Sequence, residues 1–257
     1  MSAAHFDLRT RLASGEPFLF SWMSIPSASL AAQVARLPLD GVCLDMQHGM
    51  IGFSDAGPML AAINAAGKPA MVRALWNDAA TAGQALDAGA CCVISPMVNT
   101  RAQAEALVRS AKYPPMGSRS WGGYTALQAS GLPPADYLKQ SNQMTMVFAM
   151  VETVEALSNL DEIAATPGLD GLFVGPSDLS ITLSKGAGID KLGKDTLAAM
   201  AKVSEACKTN GLVAGAFGGS SDVIKAYIKL GYTFIAAAVD VDLLQSGAAA
   251  LRKSLEV

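Results

Sequence analysis

The sequence predicts a (β/α)8 barrel. Three observations carry that prediction: eight short β-rich runs, helical stretches between them, and polar residues placed just where four of the runs end. The runs are FLFSWM (18–23), GVCLDMQ (41–47), PAMVRA (69–74), CCVISPM (91–97), TMVFAMVE (145–152), GLFVGPS (171–177), LVAGAF (212–217) and FIAAAVD (234–240). Most are continuously apolar rather than alternating, as strands covered on both faces of a parallel sheet must be. The stretches between them, ASLAAQVARL, AGPMLAAINAAG, AATAGQALDAGA, RAQAEALVRSA, VEALSNLDEIAA and SDVIKAYIKLG, space small and apolar residues at the helical period. Gly67, Gly89, Gly211 and Gly231 each close a helical pattern before a strand, where a helix end favours a residue that tolerates positive φ. Eight such units fit 257 residues. An open doubly wound sheet would want a Gly-rich turn after its first strand, and SIPSAS follows instead.

Length and composition narrow the function. No Pro/Gly/Ser-rich stretch or charge run marks a linker, so residues 1–257 are read as one domain. Hydrophobic residues make up 51% and charged residues 16%, enough apolar material for a buried core. Lys plus Arg number 19 against 22 Asp plus Glu, with no basic block, so a nucleic-acid partner is not expected and a small-molecule one is. No signal core opens the chain and no apolar run approaches the roughly 20 residues needed to cross a bilayer, so no membrane role is expected and the cytoplasm is the default location. Cys43, Cys91, Cys92 and Cys207 form no CxxC pair, and three sit in strand-like runs where a free thiol packs as a small hydrophobe.

One stretch breaks the rhythm. Residues 113–143, YPPMGSRSWGGYTALQASGLPPADYLKQSNQ, read as a long excursion between strands four and five, on the side where βα loops build a site. Arg119 and Trp121 are its most ligand-like members, although a loop Arg is as often simply solvated.

The polar residues at the strand ends converge on the mouth of a barrel. His48 is the only histidine on the folded body, since His5 lies in the amino-terminal leader; it is a candidate acid–base group. Asp45, three residues earlier, is placed to accept the second ring N–H and fix the tautomer, and Asp87 is a second candidate partner. Taken singly, Glu152 and Asp178 read better as helix caps, but as a pair at one mouth, without His or Cys nearby, they offer hard oxygen ligands to Mg²⁺ or Mn²⁺. Arg73 presents a forked cation suited to a carboxylate or a developing enolate oxygen; its structural alternative is a buried ion pair. Gly218-Gly219-Ser220 reads either as a phosphate cradle or as a turn and cap.

Together the motifs resemble a known family. LDMQHG, VRALWND, SPMVNTRAQAEALVRSAKYPPMGSRS, the strand-end VET and GPSDLS are similar, in order and separation, to the metal-dependent (class II) 4-hydroxy-2-oxoheptanedioate aldolases, over about residues 15–250. The resemblance implies that Glu152 and Asp178 hold a divalent metal, Mg²⁺ or Mn²⁺ with Co²⁺ as an option. It implies further that Arg73, with Gly175, Pro176, Ser177 and Trp121, binds the 2-oxo acid, and that His48, Asp45 and Asp87 serve the proton transfers. It also implies homohexamers with swapped carboxyl-terminal helices, which here would be QSGAAALRKSLEV. Many members carry Glu directly before the His and Gln two residues before the metal-binding Glu; this chain has Gln47 and Met150.

The implied reaction is reversible aldol cleavage and addition between pyruvate or hydroxypyruvate and an aldehyde, through an enolate stabilised beside a cation. A lysine Schiff base is disfavoured because no Lys lies well within any of the eight runs. Two other readings remain at this stage: a related carbon–carbon lyase acting on an acyl-CoA thioester, which wants clustered basic residues, and a non-catalytic barrel that binds or assembles.

Overall fold

The computed structural model describes residues 6–76 and 78–255; His5, and Asn77 of VRALWND, lie outside the described residues. Eight strands form one closed, all-parallel barrel in sequence order: β1 (Phe18–Met23), β2 (Gly41–Asp45), β3 (Ala70–Arg73), β4 (Cys92–Ser95), β5 (Met146–Met150), β6 (Gly171–Val174), β7 (Val213–Phe217) and β8 (Phe234–Val239), with β8 pairing back to β1. Each strand lies within one of the eight runs read from the sequence. Helices follow the strands: α2 (Ala28–Val34) after β1, α3 (Phe53–Ala65) after β2, α4 (Ala79–Asp87) after β3 and α5 (Arg101–Ala111) after β4. After β5 come α8 (Val154–Ser158) and α9 (Leu160–Ala164), and after β6 come α10 (Pro176–Leu183) and α11 (Lys194–Asn210). The helices α12 (Ser221–Lys229) and α13 (Asp240–Ser254) follow β7 and β8.

The unbroken apolarity of the strands has a direct cause: each is buried on both faces. Val42, Leu44, Val72, Val93, Val147 and Leu172 face the helices, whereas Phe18, Phe20, Trp22, Cys43, Met71, Phe148, Phe173 and Phe234 fill the barrel interior. Period-two alternation along β1 sends Phe18, Phe20 and Trp22 inward one above another. Phe20 stacks on Phe234 at 4.5 Å between centroids, and Phe148 packs on Phe234 at 4.8 Å. Six aromatic rings need space, and glycine supplies it: a Cβ at Gly171 would overlap the Phe148 ring, and one at Gly215 would lie 2.7 Å from the Phe173 ring. The four helix-closing glycines have φ of 73°, 102°, 66° and 92° at Gly67, Gly89, Gly211 and Gly231, as the sequence predicts.

The excursion is on the other side from the one expected. Because α5 has already carried the chain back across the barrel, residues 112–145 connect the end of α5 to the start of β5 and lie at the amino-terminal end of the strands. They hold two helices, α6 (Tyr124–Ser130) and α7 (Pro134–Met144), beside α1 (Leu8–Leu12), whose Leu8 and Leu12 join the barrel interior. An ionic cluster ties this end together. Buried Lys112 Nζ donates to the carbonyls of Asn142 (3.0 Å) and Thr145 (2.8 Å) and to Asp170 Oδ2 (2.8 Å), while Arg9 donates to Asp170 Oδ1 at 2.6 Å.

One further reading of the sequence is adjusted. The run GLFVGPS is strand only to Val174, with α10 starting at Pro176. Along α13, only Asp240 is buried, and Leu243, Leu244 and Leu251 stand exposed. All four cysteines are free and buried. Among the described residues no helix is long and apolar enough to cross a membrane.

The packing makes a prediction. Gly171→Ala is expected to lower stability by about 2–3 kcal/mol through overpacking against Phe148 and Val213, read as a shift of the urea midpoint. Gly57→Ala, in α3 with nothing within 4 Å of the added Cβ, is the control and should be neutral or stabilising; equal behaviour of the two variants would refute this account of the interior.

Candidate active site

A cavity of about 180 Å³ opens at the carboxyl-terminal ends of the strands. Its walls contain His48, Arg73, Glu152, Gly175, Pro176, Ser177 and Asp178 from the sequence-derived set, together with Trp22, Met150, Phe173 and Phe217. This is the end at which (β/α)8 barrels carry out chemistry.

Arg73 ends β3 and Asp45 ends β2, and the strand register sets the two side by side. The guanidinium donates from Nε to Asp45 Oδ1 at 2.9 Å and from a terminal nitrogen to Oδ2 at 2.6 Å. Asp45 also accepts the backbone N–H groups of Gln47 (3.0 Å) and His48 (3.2 Å) and the indole N–H of Trp22. Burial alone would push the Asp45 carboxyl up, but the hydrogen bonds and charge of Arg73, with the other donors, bring it below its ordinary value. Trp22 lies beneath the guanidinium at 4.9 Å from the ring centroid, so Arg73 is held from one face and one edge. Among the described residues its other terminal nitrogen has no hydrogen-bond partner, which leaves that side to a ligand.

This arrangement corrects the expectation for His48. Asp45 takes the backbone N–H of His48, not its ring; the imidazole is exposed at the rim with no hydrogen bond to another described residue. What holds His48 is its loop. Gly49 passes so close to Ser24 and to the Asp45 carbonyl that a Cβ would overlap the latter, and the Met50 N–H donates to Ser24 O at 3.0 Å. Ser24 and Ile25 are held in turn by their backbone N–H groups on buried Asp240 Oδ2, at 3.0 and 2.9 Å.

Glu152 is not a cap: Thr153 caps α8 through its hydroxyl, which accepts the Ala156 N–H at 3.0 Å. The Glu152 carboxylate is buried, and its Oε1 accepts the backbone N–H of Met97 at 2.7 Å. Met97 holds a positive φ of 57°, a strained conformation for a side chain of its kind, in the loop after β4. A Cβ at Gly175 would overlap Glu152 Oε2, so glycine there leaves the carboxylate its place. Asp178 stands exposed in the first turn of α10. Burial pushes the Glu152 carboxyl up to about 7; the Met97 N–H opposes this, the negative charge of Asp178 adds to it, and Arg73, already paired to Asp45, offsets only part. A buried carboxylate short of positive charge beside a second carboxylate is a donor set that fits a hard divalent cation completed by substrate and water oxygens. Among the described residues no three His, Cys, Asp or Glu side chains gather into a cage, so an all-protein zinc-type centre does not fit.

Asp87 and Trp121 do not reach this cavity within one chain. Asp87 is the last residue of α4, at the opposite end of the barrel, where Arg119 donates to its Oδ1 at 2.6 Å. The Arg119 guanidinium lies over Tyr113 at 4.6 Å, and Trp121 packs between Tyr113 and Tyr137. The helix geometry that moved the excursion moved these residues with it. The Gly218-Gly219 cradle is also lost to an anion, since both N–H groups point at Ala236 O, at 2.9 and 3.3 Å. Trp22, Met97 and Asp240 escaped the sequence reading. Trp22 alone left a signal there, as the inward position nearest the mouth on β1; Met97 acts through its backbone, which no residue type announces.

Residues 19–246 match the profile of the HpcH/HpaI aldolase/citrate lyase family. The chain belongs to that family. It is an enzyme of the carbon–carbon lyase class, and the family is in general divalent-metal dependent. A hydroxypyruvate/pyruvate aldolase of Rhizorhabdus wittichii is 38% identical over 241 residues, covering 94% of this chain and 95% of that one. A 2-dehydro-3,6-dideoxy-6-sulfogluconate aldolase of Pseudomonas putida is 35% identical, covering 93% and 92%. A crystal structure of a family protein from Burkholderia cenocepacia J2315 superimposes with a TM-score of 0.88 at 33% identity, covering 98% of this chain and 99% of that one.

The raised Glu152 carboxyl has a thermodynamic consequence with a definite sign. Its folded value of about 7 exceeds the ordinary 4.5, so its contribution to stability is present below pH 4.5 and is lost as pH rises through 7. Chelator-treated protein is expected to lose roughly 3 kcal/mol across that window. Thermal unfolding at several pH values should show the loss in the native chain, a flatter profile in Glu152→Gln, and recovery above neutrality when Mg²⁺ is added. The same slope in both proteins would place its origin elsewhere.

Proposed function

We propose that this chain is a divalent-metal-dependent class II aldolase that cleaves and forms the bond between pyruvate or hydroxypyruvate and an aldehyde. The observation that supports this most is the buried, charge-deficient Glu152 beside Asp178, in the same small cavity as a forked, oriented Arg73. Glu152 and Asp178 would hold the metal, Mg²⁺ or Mn²⁺, as hard oxygen ligands. Bound there, the cation would polarise the oxo acid and lower the cost of negative charge on it. The free edge of Arg73 would take a carboxylate or enolate oxygen of the oxo acid, with Asp45 and Trp22 keeping the fork in plane. The first turn of α10, Pro176 to Asp178, closes one side and shields the reacting atoms from water.

His48 would move the proton. In cleavage it takes the proton of the aldol hydroxyl at a ring nitrogen while the carbon–carbon bond breaks; in addition it returns that proton to the new alkoxide. No strand carries a lysine, which agrees with enolate chemistry that needs no Schiff base. The protein would work in the cytoplasm as one domain within a homohexamer. In such an assembly the exposed apolar face of α13 has a surface to cover it, and Asp87 and Trp121, remote from their own mouth, can approach that of a neighbour.

Isothermal titration of chelator-dialysed protein with Mg²⁺ and Mn²⁺, with and without pyruvate, tests the ligand set: Glu152→Gln or Asp178→Asn should each weaken binding at least tenfold. Unchanged affinity would return both carboxylates to a structural role. A second experiment separates base from cation. Oxaloacetate decarboxylation reaches the pyruvate enolate without removing a proton from carbon or hydroxyl, so His48→Ala should retain most of it while aldol cleavage falls by on the order of 10² to 10⁴. Parallel loss of both activities on one metal-loaded preparation would make His48 a positioning group instead.

A further inference from the structure

We infer that Asp240 is a positioning residue for the proton transfer: it holds the loop that carries His48 and so ties the imidazole to the start of α13. This rests on the reading of His48 as the proton-transfer group. The His48 ring is exposed and has no hydrogen bond to another described residue, so its place in the cavity wall is set by its own backbone. That backbone is anchored on two sides. On one, the His48 N–H meets Asp45 Oδ1 at 3.2 Å, and Asp45 is committed to Arg73. On the other, the two residues after His48 lean on the chain leaving β1. The Met50 N–H donates to Ser24 O at 3.0 Å, and a Cβ at Gly49 would lie 3.0 Å from Ser24 Cα and closer still to the Asp45 carbonyl.

Ser24 is as firm a support as whatever holds it, and that is one buried carboxylate. The register of β1 and β8 sets Trp22 beside Val239, so Ser24 and Asp240 leave the sheet close together. Asp240 Oδ2 accepts two consecutive backbone N–H groups, those of Ser24 at 3.0 Å and Ile25 at 2.9 Å, and Oδ1 accepts that of Val241 at 2.9 Å. The carboxylate is buried and, among the described residues, has no ion-pair partner. As the first residue of α13, Asp240 is stabilised by backbone donors and by the helix amino terminus in place of a cation. A buried anion met in this way fixes the backbone that meets it, since a donor that moves off leaves the charge unsatisfied.

The other groups of the cavity are held by different contacts. Asp45 and Trp22 hold Arg73, and the Met97 N–H holds Glu152. Loosening Asp240 therefore loosens His48 first, and a step that needs the cation and Arg73 but no base should survive it.

The test compares native chain, His48→Ala and Asp240→Asn, all loaded with Mg²⁺, in cleavage of 4-hydroxy-2-oxopentanoate and in oxaloacetate decarboxylation. Asp240→Asn keeps the shape of the side chain but turns one acceptor oxygen into a donor. It should lower kcat for cleavage roughly ten- to a hundredfold, while KM for 4-hydroxy-2-oxopentanoate and the decarboxylation rate stay within about twofold. Parallel loss of both reactions, or loss of neither, would overturn the inference. A second readout is independent of turnover. The chain has two histidines, so ¹³C at their Cε1 atoms gives two ring signals, with that of His48 identified by its loss in His48→Ala. In Asp240→Asn the His48 signal should sharpen and move to the position of free histidine; an unchanged signal would overturn the inference. Should Asp240→Asn fail to fold, Met50→Pro breaks the chain of contacts at an exposed position by removing the N–H that meets Ser24 O, and the same split and the same change of signal are expected. Native behaviour of Met50→Pro would overturn the inference equally. Absence of cleavage in the native chain, or full cleavage in His48→Ala, would overturn instead the reading on which the inference rests.

Discussion

The bidentate bond between Arg73 and Asp45 is the constraint on which the mouth of this barrel depends. Both residues end central strands, in register, under low dielectric, so each is costly to bury without the other. Their pairing settles the charge of the site. Asp45, Glu152 and Asp178 set three carboxylates against one guanidinium, and once Arg73 is matched to Asp45 the remaining two negative charges meet no other Lys or Arg among the residues that line the cavity. Burial of one of them, with the charge of the other adding to it, is what the raised Glu152 carboxyl registers. A divalent cation held there, as proposed, would neutralise that pair. Were Asp45 absent, Arg73 could swing to Glu152, and the charge deficit that suits a metal would disappear.

Much of the fold is legible in the sequence because burial on two faces leaves a one-dimensional trace. The eight apolar runs and the glycines after the helices follow from parallel pairing and helix termination alone. What failed was the side of the excursion. The run of residues 113–143 looks like an active-site loop by composition, yet a segment's side depends on whether a helix precedes it, and RAQAEALVRSA is that helix. The error then carried Arg119 and Trp121 to the wrong end of a single chain, although each is well placed in its own local cluster.

The site was legible where a residue's type states its chemistry and illegible where geometry reassigns it. His48, Arg73, Glu152 and Asp178 reach one cavity because strand ends converge whatever their loops do. The partnership of Asp45 did not survive, since a three-residue spacing says nothing about a guanidinium that lies next to it across the sheet. The amide of Met97 was beyond reach for a deeper reason. Every residue but proline has a backbone N–H, and Met97 presents this one to Glu152 from a positive φ.

The two ends of the barrel divide their labour along one stack of side chains. At the amino-terminal end Lys112, Arg9 and Asp170 form a closed ionic cluster in which every charge is met within the chain. Above it Phe18, Phe20 and Trp22 climb β1, each ring packed on others from β6 or β8, until Trp22 turns its face to Arg73 and its N–H to Asp45. A phenylalanine at position 22 would keep the packing and lose the hydrogen bond; a smaller aliphatic residue would lose both and leave the guanidinium without a floor. The precision of the fork at the mouth is therefore inherited from the interior, because a close-packed column of rings has no slack to pass upward. Charges are closed at one end, left open at the other, and the aromatic column between them keeps the open end in shape.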